Sequence, residues 1–189
     1  MPTIISDLGG WSVPQAQALT IPCYVVGAIS YLTVAYLSDR WQQRGIFVTG
    51  FGLISIVGYS LLISDVSSGV HYFACFVVAT GLYVVVGIPL AWLPANAPRY
   101  GMRTAATGMQ LTIGTSSGIM SPFIYPTADG PRYVKGHTIT MSMVAYSSVA
   151  FLCLSFWLRY ANRRRAQGKE DHRTQGMSAE EMNELGHES

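Results

Sequence analysis

Long apolar stretches separated by short polar connections are the dominant pattern along this chain. The five stretches cover residues 16–37, 45–64, 70–93, 104–126 and 138–160. A bilayer core about 30 Å thick is crossed by roughly 20 residues of helix, at about 1.5 Å per residue. Backbone polar groups in lipid must be satisfied within their own segment, and strands of a membrane barrel would be about half as long. The pattern therefore predicts an all-α integral membrane protein with five transmembrane helices between residues 16 and 160.

The composition excludes a soluble domain. Only 12% of the residues are charged, against about 25% in soluble domains, and 50% are apolar. Between residues 45 and 98 the only acidic or basic side chains are Asp65 and His71. The formal net charge of +2 is spread over small basic clusters rather than one face, and no nucleic-acid partner is predicted.

The connections between the stretches predict the orientation, because short cytoplasmic loops carry an excess of Lys and Arg. With the N-terminus outside and five crossings, ten of the 12 Lys and Arg residues are cytoplasmic: Arg40, Arg44, Arg99, Arg103, Arg159, Arg163, Arg164, Arg165, Lys169 and Arg173. Only Arg132 and Lys135 are then outside. We expect an extracellular segment at 1–15 and a polar, disordered cytoplasmic tail at 161–189. The basic residues that begin the tail either bind anionic membrane lipid or only anchor the topology.

The fourth stretch carries unusually many small polar side chains at membrane depth. Gln110, Thr115 and Ser116 are the candidates for a solute pathway there, and Gln110 is the bulkiest of these polar groups and costly to expose to lipid. Gly114 and Gly118 form a GxxxG pattern, which allows two helices to approach closely. The alternative interpretation is tight helix packing with no contact to a solute.

Two other stretches supply further pathway candidates. Pro89 and Pro94 interrupt the backbone ladder near the end of the third stretch, so freed carbonyls beside Trp92 and Asn96 could contact a solute. Tyr31 lies on the first stretch, where its ring could line the same path. The alternatives are a kinked helix end at the membrane interface and a tyrosine that packs against another helix.

Enzyme chemistry is not indicated. The chain has no GxSxG, no HExxH, no phosphate-binding glycine loop and no paired carboxylates within the stretches. Cys23, Cys75 and Cys153 lie in separate stretches and form no CxxC pair. We predict a protein that is not an enzyme and has neither a metal site nor a cofactor.

The connection between the first two stretches contains Asp39, Arg40 and Arg44. This arrangement resembles the conserved loop motif of the major facilitator superfamily, in the version found in the C-terminal half. By that resemblance the three residues bind helix ends and charges across the loop and hold the inward-closed arrangement. The alternative is that they serve only the topology.

Further stretches resemble the fungal allantoate permease group, also called the anion:cation symporter family. They are residues 1–9, residues 92–96 with Arg103, the pair 118–119, residues 129–137 and residues 183–186. Together they extend over nearly the whole chain. The resemblance implies that 1–15 is the end of a seventh helix and that the five stretches are helices eight to twelve of a twelve-helix facilitator.

The family resemblance implies uptake of a small organic anion, such as allantoate, nicotinate, pantothenate or biotin, usually together with protons. We expect the plasma membrane as the location. The chain departs from the family at 115–117, where an asparagine is expected, and it lacks the first half of the fold. We therefore expect an incomplete transporter whose partners are the solute, lipid and a missing N-terminal half or another subunit. The alternative is a membrane interaction protein without transport activity, or the product of a decayed gene.

Overall fold

The computed structural model describes residues 11–95, 100–126 and 132–167, and within these ranges it contains helices and no strand. Five helices follow one another: α1 Val13–Trp41, α2 Arg44–Ile63, α3 Ser68–Ala95, α4 Tyr100–Ile124 and α5 Val134–Ala166. Each of the five apolar stretches lies largely within one of them. The prediction of an all-α fold with five helices is confirmed.

Four of these helices, α1, α2, α3 and α5, contain segments long and apolar enough to cross a membrane. α4 is 25 residues long and is not among these four. The chain is thus an integral membrane protein. That α4 crosses as well, and where each crossing begins and ends, stay predictions.

Local interactions and backbone conformation explain where α1 begins and ends. At its start the Ser12 amide donates a hydrogen bond of 3.2 Å to Gln15 Oε1, and Pro14 occupies the first turn, where a missing donor costs little. At its end Gln42 adopts a left-handed conformation with φ of 52°, which stops the helix. The chain then reverses into α2, so the two helices run antiparallel.

The last helix is longer than predicted from the apolar pattern. α5 has 33 residues, which corresponds to about 50 Å and exceeds the hydrocarbon core. It continues past residue 160 to Ala166, so the polar segment predicted to be disordered from 161 begins as helix. Arginine is a good helix former and favours the negative C-terminal end of a helix. The Arg164 guanidinium also lies 5.9 Å from the centre of the Tyr160 ring.

α3 lies at the centre of the packing, between α1 and α2, and α2 packs in turn against α5. Small residues allow the close approach of α2 to its neighbours. A Cβ atom at Gly58 would lie 2.7 Å from Val78 Cγ2, and Gly52 lies directly against the Ser148 side chain of α5. Thr49 Oγ1 donates to the Ser148 carbonyl at 3.3 Å across the same interface.

The parallel helices α1 and α3 interlock through two tyrosine rings. The ring of Tyr31 lies over Gly87 of α3, and the ring of Tyr83 lies over Gly27 of α1. Each glycine leaves room for the facing tyrosine ring, because the side chain of a larger residue at that position would overlap the ring. By contrast α4 packs against α3, makes few contacts with α5, and leaves most of its side chains exposed.

The two ends of the bundle differ in their charged residues. The basic end is the end where α1 gives way to α2 and where α5 finishes; the Asp65 end is the opposite one, where α2 gives way to α3.

Candidate functional site

An ion pair closes the connection between α1 and α2 at the basic end. Arg44 donates from Nε and from Nη2 to the same oxygen, Asp39 Oδ1, at 3.0 and 2.7 Å. Asp39 is 61% exposed, so the surrounding water weakens the attraction. Arg40 lies in the last turn of α1 with an exposed side chain, where its charge favours the helix C-terminus. Of the three predicted motif residues, the structure joins two directly.

Trp92 belongs to this same end of the molecule. Its side chain lines a small pocket of about 180 Å³ together with Gln42, Arg44 and Ala95. The Trp92 ring also lies 6.1 Å from the ring of Phe151 on α5, measured between centres. The structure therefore places Trp92 beside Arg44 of the Asp39–Arg44 pair.

The three candidates on α4 do not share one face. Gln110 precedes Thr115 and Ser116 by five and six positions, which at about 3.6 residues per turn separates them around the helix. Thr115 Oγ1 donates to the Leu111 carbonyl at 2.8 Å, and Ser116 Oγ donates to Thr112 at 2.7 Å. Both hydroxyls are exposed and satisfied by their own helix. The Gln110 side chain is partly buried, and its Oε1 has no hydrogen-bond partner among the described residues.

The two remaining pathway candidates have different outcomes. Tyr31 is partly buried, and its ring covers Gly87, so it helps to pack α1 on α3. Its role in a solute pathway stays a prediction. Asn96 lies outside the described residues.

The larger cavity lies at the Asp65 end and has a volume of about 450 Å³. Its lining comes from four helices and the α4–α5 connection: Tyr59, Leu62, Leu82, Ser117, Ser121, Ile124, Tyr125, Tyr133, His137, Thr140 and Met143. None of these described lining residues is Asp, Glu, Lys or Arg. The described lining is therefore a mixture of hydroxyl, aromatic, imidazole and aliphatic surface.

An aromatic cluster joins α4 to α5 at one side of this cavity. Tyr125 follows the end of α4, and its hydroxyl forms a 2.9 Å hydrogen bond with Thr140 Oγ1 and approaches His137 Nδ1 at 3.4 Å. The ring of Tyr125 also covers Gly136, where a Cβ would lie 2.6 Å from Cδ1. The centre of the His137 ring also lies 5.7 Å from the centre of the Tyr59 ring on α2. His137 is 1% exposed and is the largest of the fully buried side chains in the part of the chain that the structure describes.

A second ion pair lies at the same end. Arg132, which precedes α5, donates from Nη2 to Asp65 Oδ1 in the connection between α2 and α3. Both side chains are more than half exposed. The pair joins two connections that are 67 residues apart in the chain.

The sequence did not predict the aromatic cluster or the ion pair between Arg132 and Asp65. Tyr125, His137 and Thr140 were separated by the polar connection before α5, and nothing in their spacing indicates that the chain folds back to bring them together. The one available signal was a histidine at the start of an apolar stretch, because a buried polar ring must find partners inside the protein.

Known proteins similar to this chain are fungal membrane transporters. An uncharacterised transporter of Schizosaccharomyces pombe is 36% identical over 165 residues, which are 87% of this chain and 33% of that protein. A high-affinity nicotinic acid transporter of Saccharomyces cerevisiae is 33% identical over 147 residues, 78% of this chain and 27% of that protein. The major facilitator-type transporter hxnP of Emericella nidulans is 33% identical over 167 residues, 87% of this chain and 34% of that protein.

The chain spans about a third of the length of these relatives. Their names describe transporters and not enzymes, in agreement with the expectation of a protein without catalytic activity. The name of the Emericella nidulans relative describes a transporter of the major facilitator type, which agrees with the superfamily that the sequence resembles. No protein-family model matches the chain. No solved structure matches it significantly.

Proposed function

We propose that this chain forms part of a transporter for a small organic anion of the nicotinate type, within the anion:cation symporter family. The observation that carries the proposal is the 33% identity to the high-affinity nicotinic acid transporter over 78% of the chain. The chain corresponds to about a third of that protein, so transport requires further polypeptide. Five helices cannot by themselves enclose a site between two bundles that rock against each other.

The proposed orientation has the basic end of the bundle in the cytoplasm of the cell and the Asp65 end outside. The ten-to-two division of Lys and Arg supports it, because cytoplasmic loops favour these residues. We place the protein in the plasma membrane, and we propose coupling to protons because the family resemblance implies it. The described part of the apolar spans offers no Asp or Glu as a carrier, so we place the carrier either in the rest of the transporter or at a boundary of the spans.

The residues proposed to act in transport form two groups. Gln110 is the main candidate for solute contact, because it is a partly buried amide whose oxygen has no partner among the described residues, and its NH2 group can donate to the carboxylate of an anionic solute. Thr115, Ser116, Trp92 and Tyr31 are secondary candidates, and Asn96 is retained from the sequence. The Asp39–Arg44 pair, with Arg40, is proposed to stabilise one arrangement of the loop at the basic end.

The decisive experiment joins this chain to the part of the Saccharomyces cerevisiae nicotinic acid transporter that it does not match. Cells without nicotinate uptake of their own would express the fusion, the chain alone, or the unmatched part alone. We expect saturable uptake of radiolabelled nicotinate only with the fusion. Uptake by the chain alone would contradict the claim that it is incomplete, and a fusion that reaches the membrane but takes up no nicotinate would refute the proposed solute.

The role of Gln110 is tested in the same fusion. Replacing Gln110→Leu removes a hydrogen bond to a charged solute, which is typically worth about 1.5–3 kcal/mol. The KM for nicotinate should therefore rise roughly 10- to 100-fold. The matched control is Thr112→Val on the same helix, because the Thr112 hydroxyl is exposed and bonded to the Gly108 carbonyl. Equal KM values for the two variants would remove Gln110 from the pathway.

A second candidate function is a membrane interaction protein that transports nothing. The exposed surface of α4 favours it, since most of that helix has no neighbour among the described residues. The fusion experiment separates the two functions, because an interaction protein would not restore uptake.

A further inference from the structure

The last helix continues well beyond α2 at the basic end of the bundle. Gly45, the second residue of α2, lies directly against the Ser155 side chain of α5. From there α5 continues for eleven residues to Ala166, which is about 16 Å at about 1.5 Å per residue. Because α2 begins with the charged Arg44, we take this level as the edge of the hydrocarbon. The end of α5 therefore passes through the layer of lipid headgroups.

The side chains at this end of α5 are sorted by type around the helix. The aromatic and basic residues lie within about 160° of its circumference, at about 100° per residue, and all six are exposed. The remaining side carries three less exposed residues and one polar residue: Ser155, Leu158, Ala161 and Asn162. We call the six residues the basic-aromatic face: Phe156, Trp157, Arg159, Tyr160, Arg163 and Arg164. This face points away from the bundle, because Ser155 is the residue that contacts α2.

The helix directs the arginines of this face back toward the membrane. In an α-helix the Cα–Cβ bond tilts toward the N-terminus, and the N-terminal part of α5 is the part within the bundle. Arg164 follows this direction, because its guanidinium carbon lies 5.9 Å from the centre of the Tyr160 ring, one turn earlier. Exposed aromatic rings such as Tyr160 and Trp157 favour the level of the headgroups. The guanidinium groups therefore lie where lipid phosphates lie.

The charges of this face are not neutralised by the described protein. Arg159, Arg163 and Arg164 form no ion pair with an acidic side chain in the part of the chain that the structure describes. A guanidinium matches a phosphate group in bidentate geometry, and an exposed aromatic ring offers apolar surface beside it. The face thus fits a partner that combines a phosphate, a net negative charge and an apolar body.

We propose that the basic-aromatic face is a binding site for an anionic phospholipid of the leaflet that borders the basic end. The arginines bind the headgroup, and the aromatic rings pack against the upper part of the acyl chains. The inference goes beyond transport and does not depend on the solute. With the orientation proposed above, the leaflet is the cytoplasmic one, which carries the anionic lipids of a cell membrane.

The test uses the whole chain with Trp157 as its only tryptophan. The other three, Trp11, Trp41 and Trp92, are replaced by phenylalanine. The protein is reconstituted in phosphatidylcholine bilayers that contain the same small fraction of brominated phosphatidylserine or brominated phosphatidylcholine. Bromine on an acyl chain quenches a tryptophan that it contacts, so quenching of Trp157 reports which lipid occupies the face. Both leaflets have the same composition, and the result is therefore independent of orientation.

We expect phosphatidylserine to associate with the face at least about fivefold more strongly than phosphatidylcholine, the factor that corresponds to one basic residue at an anionic surface. Replacing Arg159, Arg163 and Arg164 together by glutamine should remove the preference. Arg163→Gln alone should lower it at least about twofold. The matched control is Lys135→Gln, which removes one positive charge from an exposed position at the opposite end of α5 and should leave the preference unchanged.

Equal association of the two lipids with the unchanged face would overturn the proposal, and the arginines would then serve only the topology. A preference that survives the triple substitution, or that falls as much in Lys135→Gln as in Arg163→Gln, would also overturn it. Quenching that rises as the protein is diluted in lipid would show that a second copy covers the face, with the same consequence. If the triple substitution disturbs α5, the comparison of the two single variants still decides.

Discussion

The crossing of α2 and α3 yields the sharpest prediction of stability. Gly81 lies in the middle of α3, and a Cβ atom there would lie 2.5 Å from the Phe51 carbonyl oxygen and 2.9 Å from the Ser55 amide nitrogen. These are backbone atoms of α2, so a change of side-chain rotamer cannot relieve the overlap. The variant Gly81→Ala must instead move the two helices apart.

The cost is isolated by comparison with Gly50→Ala. Gly50 lies within α2, is exposed, and has nothing within 4 Å of its Cβ position. Replacing a helical glycine by alanine gains about 0.5–1 kcal/mol in either variant, so this term cancels in the difference. Overpacking of a close contact costs about 1–3 kcal/mol, which is then the expected difference in free energy of unfolding.

Thermal unfolding in detergent measures the difference. For a chain of this size 1 kcal/mol shifts the Tm by about 2–4 °C, so Gly81→Ala should unfold about 2–12 °C below Gly50→Ala. Gly50→Ala itself should be at least as stable as the wild type. If the two variants unfolded at the same temperature, the close approach of α2 to α3 at Gly81 would be wrong.

Two further predictions concern charge and accessibility. In a double-mutant cycle, Asp39→Asn and Arg44→Gln should show a coupling energy below about 1 kcal/mol in thermal unfolding, because Asp39 is 61% exposed; a coupling above about 2 kcal/mol would contradict the solvated pair. An apolar maleimide should label only Cys153 in the folded chain, because Cys23 and Cys75 are 0% exposed. After denaturation it should label all three cysteines. Mass spectrometry would count the labels, and a second label on the folded chain would contradict the packing of α1 or α3.

The helices and their order were predictable from the sequence because a single physical constraint dominates. Lipid requires long apolar stretches with internally satisfied backbones, and both the stretches and their short connections are visible along the chain. The end of α5 was not predictable in this way. Apolarity indicates where lipid ends, whereas helix formation continues through Arg163 and Arg164, which favour helix in water.

The site was less predictable because its contacts depend on how the helices pack. Asp39 and Arg44 are five residues apart in one connection, and their pairing follows from local chain reversal. Trp92 reaches Arg44 only because α3 returns to the basic end beside the start of α2. The hydrogen bond between Tyr125 and Thr140 likewise requires the chain to fold back before α5.

The spacing of glycines along the sequence does not predict which helices pack closely together in the structure. Gly114 and Gly118 form the GxxxG pattern that predicts close helix contact, yet within the described residues they contact no other helix. Gly58 and Gly81 match no such pair and are tightly packed. A glycine pattern therefore predicts that a helix can be approached closely but not which helix approaches it.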